Sequence, residues 1–368
     1  MCAALVSCFK DEPLGTECDI EQAFLHTEVP ESLFYSAGDS LITVLSAETA
    51  IKFRVKEGAD LSALAPQFII TTGASISPAS GSVHDFSDGQ AVAYTVTSED
   101  GQWQRTYTVT VTIRQRTVDE LEGFSFERYY LDDYDQYYIW NDTTADGYDL
   151  DDWATGNAGF QITNSSATWD MFPTRLLEQG VQGKGVQLVT LSTGALGSMV
   201  GKPIAAGNLF LGKFDLTKTL TNSLHATQFG VPVAKQPVTF SGYYKYARGE
   251  EYTDVSGNIV SGVEDSGNIY ALIYKNTDAE GNAFQLYGDS VKTSSQIIAL
   301  ANLDITQETD EWTFFELDFN YTDDLDADLL ETYGYSLTIV CTSSNKGASF
   351  MGAIGSTLCV DELKITWE

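Results

Sequence analysis

From Ala91 to Ile113 the chain alternates apolar and polar residues with a period of two. The run AVAYTVTSEDGQWQRTYTVTVTI is broken by Asp100-Gly101, a tight-turn pair, and predicts a hairpin. On its second arm Trp103, Arg105, Tyr107, Val109, Val111 and Ile113 share one face, and Gln104, Thr106, Thr108, Thr110 and Thr112 share the other. A sheet with one buried and one wet face needs this pattern. Shorter strand candidates, IEQAFLH, LITVLS and IKFRVKEG, precede it. Between them and the hairpin, Pro66, Gly73, Pro78, Gly81 and Gly89 punctuate the chain as turn residues. Residues 17–116 therefore read as an immunoglobulin-like β-sandwich, and TVDEL, residues 117–121, as a short polar link.

Beyond the link, GVQLVTLST, AGNLFLGKF, PVTFSGYYKYA, NIYALIYKN, EWTFFELDFNY, YSLTIVCTSS and LCVDELKITWE read as strands joined by Gly-, Asn-, Asp- and Ser-rich loops. Strands of this kind with long connections fit a jelly roll over residues 122–368, so the fold class is all-β in two domains. In PVTFSGYYKYA, Val238, Phe240, Gly242, Tyr244 and Tyr246 form the apolar face; Thr239, Ser241, Tyr243 and Lys245 point the other way. Tyrosine offers a flat ring to the C–H face of a sugar, and an ammonium donates to hydroxyls, so Tyr243 and Lys245 are candidate ligand contacts.

Charge narrows the partners. The chain has 52 acidic residues against 20 lysines and arginines, a net charge of −32. Such a surface repels phosphate backbones and excludes nucleic acid as a partner. It suits a secreted or surface protein, a neutral ligand and hard cations such as Ca²⁺. No apolar run is long enough to span a bilayer. LVSC, residues 5–8, resembles the lipobox of a bacterial lipoprotein, with Cys8 the residue to be acylated, although only seven residues precede it. Residues 1–16 then form leader and tether, and the expected location is the outer membrane, facing the cell surface or the periplasm. Five cysteines make no disulfide framework in a chain of this length; Cys341 and Cys359 are either bridged or free. There is no CxxC, and His26, His84 and His225 lie far apart, which gives zinc no support.

Several stretches together carry a family resemblance: AAGNLFLGKF, PVTFSGYYKY, SSNKGASFMGAIGSTLCVDELKI, WATGNAGF at 153–160, and PTRLLEQGVQGKG from Pro173. Taken in chain order they resemble the putative carbohydrate metabolism domain of gut Bacteroidetes, over roughly residues 122–368. The resemblance implies an Ig-like domain followed by a jelly roll similar to those of glycan-active proteins, with a pocket for carbohydrate and no established catalytic residues. The YTVTSEDG…YTVTV pattern also resembles the Ig-like spacer modules of Bacteroidetes surface proteins.

Further candidates follow from residue type. Trp153 beside Asn157 on a Gly-rich loop pairs an indole with an amide that both donates and accepts; Asn208 offers a similar amide or caps a turn. Jelly-roll glycan-binding modules often hold a structural Ca²⁺ between their first and last strands. Here Asp361, on the strand face of Cys359, Leu363, Ile365 and Trp367, points inward, and Glu127 is its natural companion ligand. Glu316 and Asp318 share a strand face about 7 Å apart, inside the roughly 5–10 Å that glycoside hydrolysis requires. No G-x-S-x-G elbow, phosphate loop, nicotinamide fingerprint or EF-hand loop occurs.

The expectation is a monomeric surface lipoprotein whose jelly roll binds an oligosaccharide or polysaccharide with micromolar to millimolar affinity. A glycoside hydrolase or lyase, and a structural or adhesive surface protein, are the alternatives.

Overall fold

The computed structural model describes residues 13–27, 32–35, 37–219 and 221–368; the lipobox with Cys8 lies outside them. The chain divides into two compact units, Met1–Gln115 and Arg116–Glu368.

Among the described residues of the first unit, Leu41–Thr43, Ile20–Leu25 and Pro66–Ile70 form one sheet. Ala50–Lys56, Gln104–Arg114, Ala91–Thr97 and Ser75–Ser77 form the other. The hairpin forms as the alternation predicts, with Tyr94 opposite Tyr107, and Ala50–Lys56 adds in parallel to its second arm. Ile51, Phe53, Val55, Tyr94, Val96, Tyr107, Val109 and Val111 fill the space between the sheets. Trp103 and Ile113, expected on this buried face, are exposed at the two ends of the arm, where the opposing sheet no longer covers them. Asp19 ties the layers together: its Oδ1 accepts from Arg105 at 2.5 Å and from the Tyr107 hydroxyl at 3.1 Å.

The second unit is a larger sandwich. One sheet runs in the order Thr174–Leu177, Gly185–Val189, Thr357–Trp367, Pro237–Ala247, Thr309–Asp318. The other has nine strands among the described residues, with Asn208–Phe214, Tyr335–Thr342, Gly267–Lys275 and Ile297–Ile305 at its centre. Val186, Leu188, Phe240, Tyr246, Leu358 and Val360 from the first sheet meet Leu209, Leu211, Ile269, Ala271, Ile273, Leu337 and Ile339 from the second. Burying large apolar side chains of this kind stabilises by about 1.5–3 kcal/mol each.

The predicted face of Pro237–Ala247 holds from Phe240 to Tyr246, while Val238 is exposed because the pairing slips between Pro237 and Thr239. A second irregularity overturns the face assigned to Asp361. Ser241 pairs with Lys364 but Tyr243 with Asp361, and Glu362 takes φ 51°. This bulge leaves Leu358 and Val360 inward before it and Leu363 and Ile365 inward after it. Cys359 and Asp361 therefore lie on the outer face, not in the core between the sheets. Gly242 sits across the ladder from the bulge, where an added Cβ would come within 2.5 Å of Leu363 Cδ2. Cys341 belongs to the nine-stranded sheet and Cys359 to the other; both are free thiols.

Candidate functional site

The central strands of the larger sheet are buried on both sides. Gly267–Lys275 gives Ile269, Ala271 and Ile273 to the sandwich core, and Tyr270, Leu272 and Tyr274 to a second apolar layer on the opposite face. Period-two alternation then builds the floor of a pocket on that outer face. Asn208 and Asn268 both pair with Thr342, and Phe210 and Tyr270 both pair with Val340, so the six residues form two rows of three. The short helices Asn157–Gln161 and Gly194–Met199 and the loops at 202–206, 223–227, 288–293 and 344–350 supply the walls. The cavity measures about 440 Å³, within the roughly 300–1,000 Å³ of small-molecule sites.

The floor rings are buried, but Phe214 and Phe350 are only half-buried and present apolar faces to the pocket. Phe350 does so with φ 57° in the left-handed region, which is rare for a bulky residue and recurs at ligand-binding positions. Lys202 Nζ lies 5.3 Å from the centre of the Phe350 ring and donates to the Thr219 carbonyl at 2.6 Å. Lys292 Nζ stands over the Tyr270 ring at 4.4 Å and donates to Asn268 Oδ1. Asn268 Nδ2 is held by the Leu303 carbonyl and Asp304 Oδ1, both at 2.9 Å, so this amide serves to fix the lysine. Burial of the ammonium end pushes the Lys292 pKa down, with the Asp304 charge opposing, and burial does the same to Lys202. Burial also pushes the Tyr270 phenol up.

One wall is clamped from behind. Asp265 Oδ2 accepts from Ser344 Oγ, Ser356 Oγ and the Ala353 amide at 2.6–2.7 Å, which fixes both ends of the loop carrying Phe350. At the rim, Asp289 meets His225 Nε2 at 3.2 Å, and His225 stacks on Tyr287 with ring centres 4.1 Å apart.

The expected site residues scatter. Asn157 and Asn208 line the pocket. Asn157 is fully buried, with Nδ2 donating to the Thr174 carbonyl and Oδ1 accepting from the Thr174 amide, so it braces a wall. Asn208 Oδ1 accepts from the Gly156 amide at 2.7 Å, and the residue remains half-exposed. Trp153 is no sugar platform: it packs on Phe124 and Phe126 in the core, and its indole donates to Asp142. Tyr243 and Lys245 do face outward, but on the five-stranded sheet and not at the pocket. There Tyr243 meets the exposed Phe314 at 5.2 Å, and Lys245 lies over Trp312 at 5.1 Å. Glu316 and Asp318 are exposed on that same sheet.

Glu127 and Asp361 converge on one turn, yet as acceptors for its backbone. Glu127 Oε1 takes the Lys184 amide, and Asp361 Oδ2 the amides of Val181 and Gln182. Gly183 (φ 57°) permits this, since a Cβ there would lie 2.1 Å from Glu127 Oε1. Among the described residues, no group of three or more His, Cys, Asp or Glu is placed to hold a metal ion.

Sequence reasoning missed Lys202, Phe214, Lys292 and Phe350, although AAGNLFLGKF and SSNKGASFMG carry two of them. The available signal was the unbroken apolar runs NIYALIYK and YSLTIVC, which mark strands covered on both faces.

A sandwich of two β-sheets, with a ring-lined pocket on the outer face of one of them, puts the larger unit in the jelly-roll class of folds. Residues 125–366 match the family described as "Putative carbohydrate metabolism domain", and the chain belongs to it. Residues 34–111 match the model described as "SGBP, N-terminal", the first domain of surface glycan-binding proteins. A crystal structure described as a putative glycoside hydrolase from Bacteroides thetaiotaomicron is 36% identical, covers 98% of this chain and 99% of its own, and superposes with a TM-score of 0.64. A second, described as a putative glycoside hydrolase from Bacteroides vulgatus, is 38% identical over 67% of this chain and 97% of its own, with a TM-score of 0.61. No curated protein matches the chain. The function is glycan-related.

Proposed function

We propose that the protein captures an oligosaccharide or a polysaccharide end in the pocket on the nine-stranded sheet, as a cell-surface component of glycan use. The carrying observation is Phe350, whose ring is held at the pocket by a left-handed backbone beside the Lys202 ammonium. Ring faces pack on sugar C–H edges, while Asn208, Asn345 and the lysines lining the same cavity donate to hydroxyls. The family and the surface glycan-binding N-terminal domain support this reading. Acylation at Cys8, with the chain held at the outer membrane as a monomer, completes it.

The relatives described as putative glycoside hydrolases favour cleavage as the second reading. The pocket lining argues against it. Among the described residues its carboxylate is Asp289, already paired with His225, whereas hydrolysis needs two carboxyls across the bond.

The test is a glycan array with the full chain, followed by calorimetry and product analysis on each hit. Phe350→Ala is expected to weaken binding tenfold or more, about 1.4 kcal/mol, while Tyr243→Ala leaves it unchanged. Loss of affinity in Tyr243→Ala alone would move the site to the other sheet. Sugar fragments accumulating with time would make the protein an enzyme.

A further inference from the structure

We propose that the ligand of this pocket carries an anionic group, a uronate carboxylate or a sulfate ester, held by Lys292 and Lys202. The proposal rests on the glycan-binding reading above and names the class of glycan.

The argument starts from a local inversion of charge. Acidic residues outnumber basic ones 52 to 20 in the whole chain. The charged residues lining the pocket run the other way: Lys202, Lys292 and Lys346 against Asp289. Asp289 is exposed at the rim and bonded to His225. The neutral ligand that suits the overall charge is therefore not what the pocket's own charge suits.

The second point is the company these ammonium groups keep. Among the described residues none of the three lysines has a carboxylate in salt-bridge reach, although carboxylates abound. Lys292 is held by a carbonyl oxygen of Asn268 and by the Tyr270 ring; Lys202 by the Thr219 carbonyl and the Phe350 ring. Asp304 accepts from the Asn268 amide and acts on Lys292 through its charge, without a salt bridge. Neutral acceptors and ring faces orient an ammonium group without neutralising it. Each ammonium thus lines the cavity without a carboxylate bonded to it. Desolvation disfavours the charged form of both lysines, and an anionic ligand would offset it.

A third point is geometric economy. Asn268 is fully buried and directs all of its hydrogen bonds to Lys292, Asn302, Leu303 and Asp304. A buried amide fixing one lysine over a ring is what a preorganised anion contact requires. Lys292 is itself an exposed residue, and an exposed lysine that only adds solubility needs no such support for its ammonium end.

The experiment uses the full chain on an array of neutral, uronate-containing and sulfated oligosaccharides. Every anionic hit is then titrated beside its carboxyl-reduced or desulfated counterpart. The expected result is that anionic glycans bind best, that removing the anionic group lowers affinity at least tenfold, and that Lys292→Met and Lys202→Met each lower it similarly while melting temperature is kept. The uronate and sulfate arms identify which group is held. Neutral glycans binding as tightly as their anionic counterparts would overturn the anionic assignment and leave glycan binding standing. Silence across the whole array would overturn both. Unchanged affinity in Lys292→Met and Lys202→Met, with an anionic preference intact, would place the anion elsewhere and refute the assignment to these lysines.

Discussion

Burial works on three carboxyls in the second unit in the same direction. It pushes Asp142 up to about 7 against the opposing Trp153 donor, and Asp152 and Asp361 up to about 6. All three lie above the roughly 3.9 of an unfolded aspartate. The folded state therefore binds more protons than the unfolded state between about pH 4 and 7, and stability falls as pH rises through that window. Repulsion within a chain of net charge −32 acts in the same sense. Carboxyls held low by hydrogen bonds, such as Asp100 and Asp215, oppose this only below about pH 4. Melting by calorimetry is expected several degrees higher at pH 5 than at pH 8, and Asp142→Asn is expected to flatten the drop. A melting temperature that rises from pH 5 to 8 would refute the assignment. At this scale the sequence shows residue types and little of their use. Asn208 was visible as an amide on a turn-rich strand. Lys292 was not, because the amide that fixes it lies 24 residues away in the chain, on another element.

Strand parity was legible wherever the ladder is regular. Phe240, Tyr244 and Tyr246 face the core as the alternation requires. The bulge at Asp361 and Glu362 was missed although the apolar positions change phase there, from Leu358 and Val360 to Leu363 and Ile365, because Cys359 extends the later phase backwards and masks the slip. Nor was the pocket read, since its walls come from loops far apart in the chain that close over one sheet face. Asp265 holds one of those loops, and it gives a sharp test. Asp265→Ala leaves the Ser344 and Ser356 hydroxyls and the Ala353 amide without their acceptor in a buried place. The expected loss in urea unfolding is about 3 kcal/mol, with weaker glycan binding because the Phe350 loop loosens. An unchanged midpoint would show that water replaces the carboxylate at little cost.

The whole molecule consists of two units, each with its own apolar core. All residues lining the pocket belong to the second unit. A fragment of residues 116–368 is therefore expected to fold and to bind glycan as tightly as the full chain, as titration of both would show. A tenfold weaker fragment would mean that the first unit contributes to the site. The division into a smaller and a larger all-β unit was legible from turn spacing and alternation.

The two-sided strands of the larger sheet have a corollary for redesign. Ile269 and Tyr270, or Ile339 and Val340, are neighbours on one backbone, yet one belongs to the interior of the sandwich and the other to the base of the cavity. Drift at either position disturbs both tasks at once. A redesign of the pocket is therefore expected to succeed through its surrounding loops and to fail through its base, because only the loops can be rewritten without touching the interior.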